Sequence, residues 1–220
     1  MRGNLAAVAA GCLLCVCLVG VAHGTDYPPN ERPMYGNIQK TPAMLEADRA
    51  FIDAVLETGM TQEQGAVAGV KRGWEALNGG DVRTAIRRFN QAWLLDPEGY
   101  GAYWGFGVVL FERDRVCAEA FGMFDRAVAL GGDNPSLLVD YGRICEQCGE
   151  ADKAIPLLER GLSIDPGIRD GYIGLMFAYG RKGDFEQAWR WSERAAKRNL
   201  LPSYSKDDIE TIITEVLKKR

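Results

Sequence analysis

The sequence is almost without histidine: of its 220 residues a single one, His23, is of that type. It sits in a leader-like N-terminal segment, so the rest of the chain has none. Imidazole is the commonest general base near neutral pH and the commonest metal ligand. Ser–His, Cys–His and His–metal chemistries are thereby excluded from the body of the chain. Excess basic charge is also lacking, with 26 Lys and Arg against 30 Asp and Glu and a net charge of −4. Nucleic-acid binders carry a basic footprint, so no nucleic-acid partner is expected. Cysteine is sparse beyond residue 24, where only Cys117, Cys145 and Cys148 remain. Three thiols without an imidazole lack the fourth ligand of a structural zinc site, and no metal or cofactor is expected. Acidic pairs such as Asp207 and Asp208 read as helix starts favoured by the helix dipole rather than as a catalytic set. The chain does not read as an enzyme.

The N-terminus reads as a leader. Arg2 is followed by an apolar run from Leu5 to Ala22, and Ala22-His23-Gly24 supplies a small-x-small cleavage pattern. A signal peptide over 1–24 follows, and with it export to the periplasm or beyond. Two alternatives stay open. The run is about long enough to span a bilayer as an uncleaved anchor. Ala9-Ala10-Gly11-Cys12 loosely resembles a lipobox, which would make the chain a membrane-anchored structural lipoprotein. The apolar run continues past Cys12 through Leu13, Leu14 and Val16, which ranks lipidation below simple export. Residues 25–40 hold Pro28, Pro29, Pro33 and Gly36 among polar residues and read as a flexible tether. Over 41–60, Thr41 and Pro42 open a helix with an apolar stripe from Met44 to Leu56, interrupted at Asp48. Gly59 stops it, and Thr61 with Gln64 predicts a capping box for the next helix.

From there the chain repeats itself. Gly80-Asp81, Gly149-Glu150 and Gly183-Asp184 each precede an Ala by the same interval, and a degenerate copy spans Arg115 to Ala120. Ala85, Ala120, Ala154 and Ala188 step by 35, 34 and 34 residues. Phe89, Phe124, Leu158 and Ser192 keep the same beat, whereas Gly73, Gly107, Gly142 and Met176 step by 34, 35 and 34. The displaced 35 puts one extra residue somewhere in 108–119. Small residues on this beat let helices cross closely, and each turn glycine accepts backbone angles costly for other residues.

On these residues the chain resembles the tetratricopeptide repeat family, whose unit of about 34 residues is a helix–turn–helix. The resemblance implies an all-α solenoid of about four hairpins over 66–202, divided as 66–99, 100–134, 135–168 and 169–202. A C-terminal helix over 203–220, with Ser205 as N-cap and a stripe of Ile209, Ile212, Ile213, Val216 and Leu217, would cap the last unit. Gly69 and Arg72 in unit one and Ser192 in unit four depart from the family pattern.

The resemblance also implies a function: holding a protein or peptide in the concave face lined by the first helix of each unit. Carried onto this sequence, the inward positions include Val70 and Trp74, then Trp104, Val108 and Phe111, then Val139, Arg143 and Glu146, then Phe177 and Arg181. A register shift of one residue would send Trp74, Trp104 and Phe111 into the core instead. The family's Lys and Asn clamp for C-terminal carboxylates is not reproduced at these positions. The expected partner is thus a protein or peptide of other kind, in an envelope assembly or secretion complex, or a partner enzyme whose substrate this chain holds. In the stacked architecture the ends carrying Cys117 and Cys148 meet, so Cys117 is expected to bridge Cys148, with Cys145 as the alternative partner.

Overall fold

A computed structural model describes residues 27–219; the leader expected at 1–24, Cys12 included, lies outside them. Ten α-helices follow one another: α1 (Pro42–Glu57), α2 (Gln62–Asn78), α3 (Val82–Leu95), α4 (Tyr100–Val109), α5 (Cys117–Gly131), α6 (Pro135–Gln147), α7 (Ala151–Ile164), α8 (Arg169–Arg181), α9 (Phe185–Ala196) and α10 (Lys206–Lys218). Their starts are written in side chains. Thr41, Asp81, Asn134, Asp184 and Ser205 each accept a hydrogen bond from an N-terminal backbone amide, satisfying donors a helix start leaves orphaned. Thr61 and Gln64 close a reciprocal box at 3.1 and 2.9 Å, so α2 starts at Gln62, about one turn ahead of the repeat.

Helices α2 to α9 form four hairpins, each packed on the next. Successive first helices also touch, α2 with α4, α4 with α6 and α6 with α8, while successive second helices make no comparable packing. The first helices therefore lie on the inner, shorter side of the solenoid, and α3, α5, α7 and α9 on the outer side.

The recurring small residues mark where helices cross. A Cβ on Gly73 would stand 2.4 Å from the Phe89 ring, one on Gly107 2.6 Å from Phe124, and one on Gly142 2.5 Å from Leu158. Each glycine is a hole for the large residue opposite. Unit four reverses the sizes, with Met176 on the first helix and Ser192 on the second, both buried. Ser192 is thus the counterpart of Met176 and not a defect in the repeat. Gly69 is explained in the same way, since a Cβ there would press on Ala92 at 3.2 Å.

The extra residue of unit two is a π-helical turn, Leu110–Asp114, continuing α4. Such a turn takes in one residue beyond the α-helical count. The turn position held by Gly80, Gly149 and Gly183 elsewhere falls here on Arg115, which adopts the same left-handed conformation at φ 55°. That costs a non-glycine residue roughly 1–2 kcal/mol.

Cys117 and Cys148 are joined by a disulfide across a Cα separation of 6.1 Å, and Cys145 is a buried free thiol. The bridge ties the start of α5 to the end of α6, the sparsest of the three junctions between successive hairpins. At the C-terminal end α10 covers the last hairpin, burying Ile209 and Ile213; a Cβ on Gly180 would lie 2.4 Å from Ile213.

Residues 27–40 are not a tether, contrary to their Pro- and Gly-rich composition. They form two short 3-10 turns packed on α3. Glu31, 2% exposed, is gripped by Arg83 at 2.9 Å and by Arg87. These guanidiniums, Arg83 first, hold its carboxyl below the usual range against the opposing effect of burial. The Asn90 amide, fully buried, donates to the carbonyls of Asn30 and Arg32 and accepts from the Tyr35 amide. Arg113 donates to the Glu31 carbonyl and lies 3.7 Å from the Tyr27 ring. Composition missed the strap because its partners are 52 to 82 residues away. Helix α1 is a lighter addition with no fully buried residue, seated on α2 where Val55 fills the space beside Gly65.

Two outcomes are expected. Gly142→Met should lower the melting temperature by the cost of overpacking, about 1–3 kcal/mol. Adding Leu158→Ser, which copies the size order of unit four, should recover part of it, and a double-mutant cycle by thermal unfolding reads the coupling. Separately, Glu31→Ala with Asn90→Ala should open the Lys40–Thr41 bond, at the end of the strap, to limited trypsin cleavage while far-ultraviolet circular dichroism keeps its helical signal.

Candidate protein-binding face

The inner face is built from α2, α4, α6 and α8, and a continuous line of side chains crosses it. Trp74 of α2 meets Trp104 of α4 edge-on at 4.9 Å and Phe89 at 5.5 Å. The Trp104 indole N–H donates to the Asp140 carboxylate of α6 at 3.0 Å. Arg143, one turn further on, stands 3.9 Å from Asp140 and 2.9 Å from Asp170 of α8. Three successive units are thus stitched together by polar contacts that remain partly in water.

At the N-terminal end of this line lies a cleft of about 300 Å³ between α2 and the start of α4. Val67, Val70, Tyr100 and Trp104 line it. Val67 is 67% exposed and carries the apolar lining of the cleft out to the surface. Gly101 leaves room there for Val70, whose methyl would lie 3.0 Å from an added Cβ. Among the described residues no helix is long and apolar enough to cross a membrane.

The structure distributes the residues expected in the groove. Val70, Trp74, Trp104 and Arg143 come together on the inner face, all partly exposed. Val108 is partly buried and packs against the core. Phe111 is 3% exposed and belongs to the core, not the groove. Its place in the π-helical turn shifts the register there, and the Arg115 guanidinium covers its ring at 4.6 Å. Phe177 packs with the cluster beneath α10, around Met176 and Ile213. Arg181 turns to Glu146 at 2.8 Å, a pair in which the carboxylate is almost fully buried. In unit three the register is off by one: Val139 is buried, and its neighbour Asp140 faces the groove. The residues missed are Asp140, Val67 and Tyr100. The available signal was the spacing of Asp140 and Arg143, one helical turn apart.

Burial pushes the Asp140 carboxyl up to about 6, outweighing the Trp104 hydrogen bond and the Arg143 charge that favour ionisation. The folded chain then keeps a proton that the unfolded chain releases, so this group's stabilisation is present at low pH and lost as pH rises through its folded value.

The comparisons with known proteins agree with this architecture. A tetratricopeptide repeat family model matches residues 70–135. A TPR repeat-containing protein of Bacillus subtilis, YpiA, is 24% identical over 115 residues, which are 52% of this chain and 27% of that protein. The chain therefore spans about a quarter of that relative's length. The crystal structure of MamA superposes with a TM-score of 0.54 and 26% identity, covering 70% of this chain and 86% of that one. YrrB, described as a TPR protein with an unusual peptide-binding site, gives a TM-score of 0.53 at 19% identity, over 68% of this chain and 75% of its own. PilF of Pseudomonas aeruginosa gives 0.60 at 18%, over 72% and 70%.

Asp140→Asn should flatten the pH dependence: urea unfolding of the unaltered chain is expected to lose about 1–2 kcal/mol between pH 4 and pH 6, discounted for partial exposure, and the variant to lose none of it. With its hairpins on a steady beat and glycines opposite large side chains at the crossings, the chain is a helical solenoid similar to the tetratricopeptide repeat proteins, whose family model matches residues 70–135.

Proposed function

We propose that the chain is a non-catalytic scaffold that binds a protein or peptide along its inner face. The single observation that carries this is the exposed apolar cleft of Val67, Val70, Tyr100 and Trp104 running into the Trp104–Asp140–Arg143–Asp170 line. Trp, Tyr and Arg are the side chains most often found at the energetic centres of interfaces. An extended or helical peptide would lay an apolar side chain against Val67 and Trp104. Its polar groups would compete for Arg143 or Asp170, whose pairing in water is weak enough to exchange. YrrB, a fold neighbour, is a TPR protein described by its peptide-binding site, which supports a ligand of this class.

We place the scaffold outside the cytoplasm, in an envelope assembly or secretion complex. The apolar leader supports this, as does the pairing of Cys117 with Cys148, since disulfides persist in oxidising compartments.

A photo-crosslinking amino acid at Val67 tests the reading, with the same group at Glu119, on the outer face, as control. Adducts with a discrete partner are expected from position 67 alone and should vanish with Trp104→Ala. Equal adducts from both positions, or adducts indifferent to Trp104→Ala, would remove the inner face from the mechanism.

A further inference from the structure

One contact recurs along the outer side of the solenoid. Arg126 of α5 pairs at 3.0 Å with Glu98, from the loop before α4. One unit on, Arg160 of α7 pairs with Asp133, from the loop before α6. The series continues at Arg194 of α9, 34 residues after Arg160, and its loop counterpart is Gly167, 34 residues after Asp133. The acid is missing from the last unit. No ion pair joins Arg194 to a carboxylate among the described residues; its guanidinium lies over the Trp191 ring at 4.3 Å.

Beneath that guanidinium is a cleft of about 480 Å³ between α7, the loop after it and α9. Trp191 and Tyr172 line it, and Lys197 and Arg198 share its rim with Arg194. Arg198 is held in place by the Tyr172 hydroxyl at 2.8 Å, which itself donates to the Pro166 carbonyl at 3.1 Å. The one acid in the lining, Glu159, already accepts from the Tyr179 hydroxyl at 3.2 Å. Three cations thus converge on an aromatic cleft in a chain of net charge −4. The negative end of α9 accounts for cations near its last carbonyls. It does not account for a repeating pair that has lost its acid, nor for the aromatic cleft beneath it.

We infer that this outer-face cleft binds an acidic peptide segment, whose carboxylate takes the position on Arg194 that Glu98 and Asp133 hold on Arg126 and Arg160. Guanidinium and carboxylate match in a two-pronged, charge-assisted geometry. An adjoining apolar side chain of the peptide packs against Trp191, and Lys197 receives a second acid. This site is on the opposite side from the inner face and stands or falls independently of it.

The chain carries five tryptophans, so its indole N–H resonances can be followed singly by NMR, that of Trp191 being assigned through Trp191→Phe. The probe is the tetrapeptide Glu-Leu-Glu-Leu, acetylated and amidated, with sodium phosphate and sodium acetate titrated in parallel. Saturable shift of the Trp191 signal is expected, weakening as salt rises, with Trp104 unmoved. Gly167→Asp supplies the missing acid from within. Gly167 has no positive φ, and the nearest atom to an added Cβ is the Asp165 carboxylate tip at 3.1 Å. This variant should bind the peptide at least about tenfold more weakly, as expected when one charge-assisted contact is occupied, with an undiminished melting temperature. Arg194→Gln should lose binding likewise and serves if Gly167→Asp folds poorly. The inference fails if Trp191 does not respond. It fails equally if Arg194→Gln binds like the unaltered chain, or if phosphate or acetate matches the peptide.

Discussion

Everything in this solenoid depends on how closely two helices can cross. At Gly73, Gly107 and Gly142 the backbone of one helix comes so near its partner that the opposite ring or Leu side chain occupies the space of a Cβ. That contact sets the hairpin, and because it is repeated on a near-constant interval it also sets the stacking of hairpins. Close-packed interiors tolerate little change in volume at such points. Unit four keeps the total by exchanging the roles, Met176 for the glycine and Ser192 for the aromatic. The constraint is on the sum across the crossing, not on either residue.

Much of the fold was therefore legible in the sequence. The period, the turn glycines at Gly80, Gly149 and Gly183, the helix caps at Thr41, Thr61 and Ser205 and the terminal helix are all local signals, readable within a few residues. What local reading could not supply were interactions between distant segments. Residues 27–40 look like linker by composition because Pro28, Pro29, Pro33 and Gly36 stand among mostly polar residues. Their order comes from Arg83, Arg87, Asn90 and Arg113, which no window around residue 31 contains. The groove was half legible for a related reason. The repeat frame located the inner helices, but a π-helical turn moved Phe111 into the core, and a one-residue offset in unit three brought Asp140 forward instead of Val139. Such offsets are invisible to a periodic template that allows only whole units.

The repeat is informative where it breaks as well as where it holds. A solenoid gives each position several copies of the same environment, so every unit serves as a control for the others. Arg115 in place of a turn glycine coincides with the inserted residue and the π-helical turn. Gly167 in place of an acid coincides with a cationic, aromatic cleft. Trp104, bonded to Asp140 in the following unit, couples neighbours on the inner side. Chemistry specific to this chain collects at these departures, while the crossings keep their summed size even where, as in unit four, the roles are exchanged.

The bridge between Cys117 and Cys148 has a mechanical consequence. A stack of hairpins held only by nearest neighbours behaves as a spring, and bending concentrates in its softest coil. Here that coil, between α5 and α6, is the one riveted covalently. Oxidation thus reinforces the joint that packing alone holds least, so the second and third hairpins are expected to part less readily with the bridge closed than with it reduced.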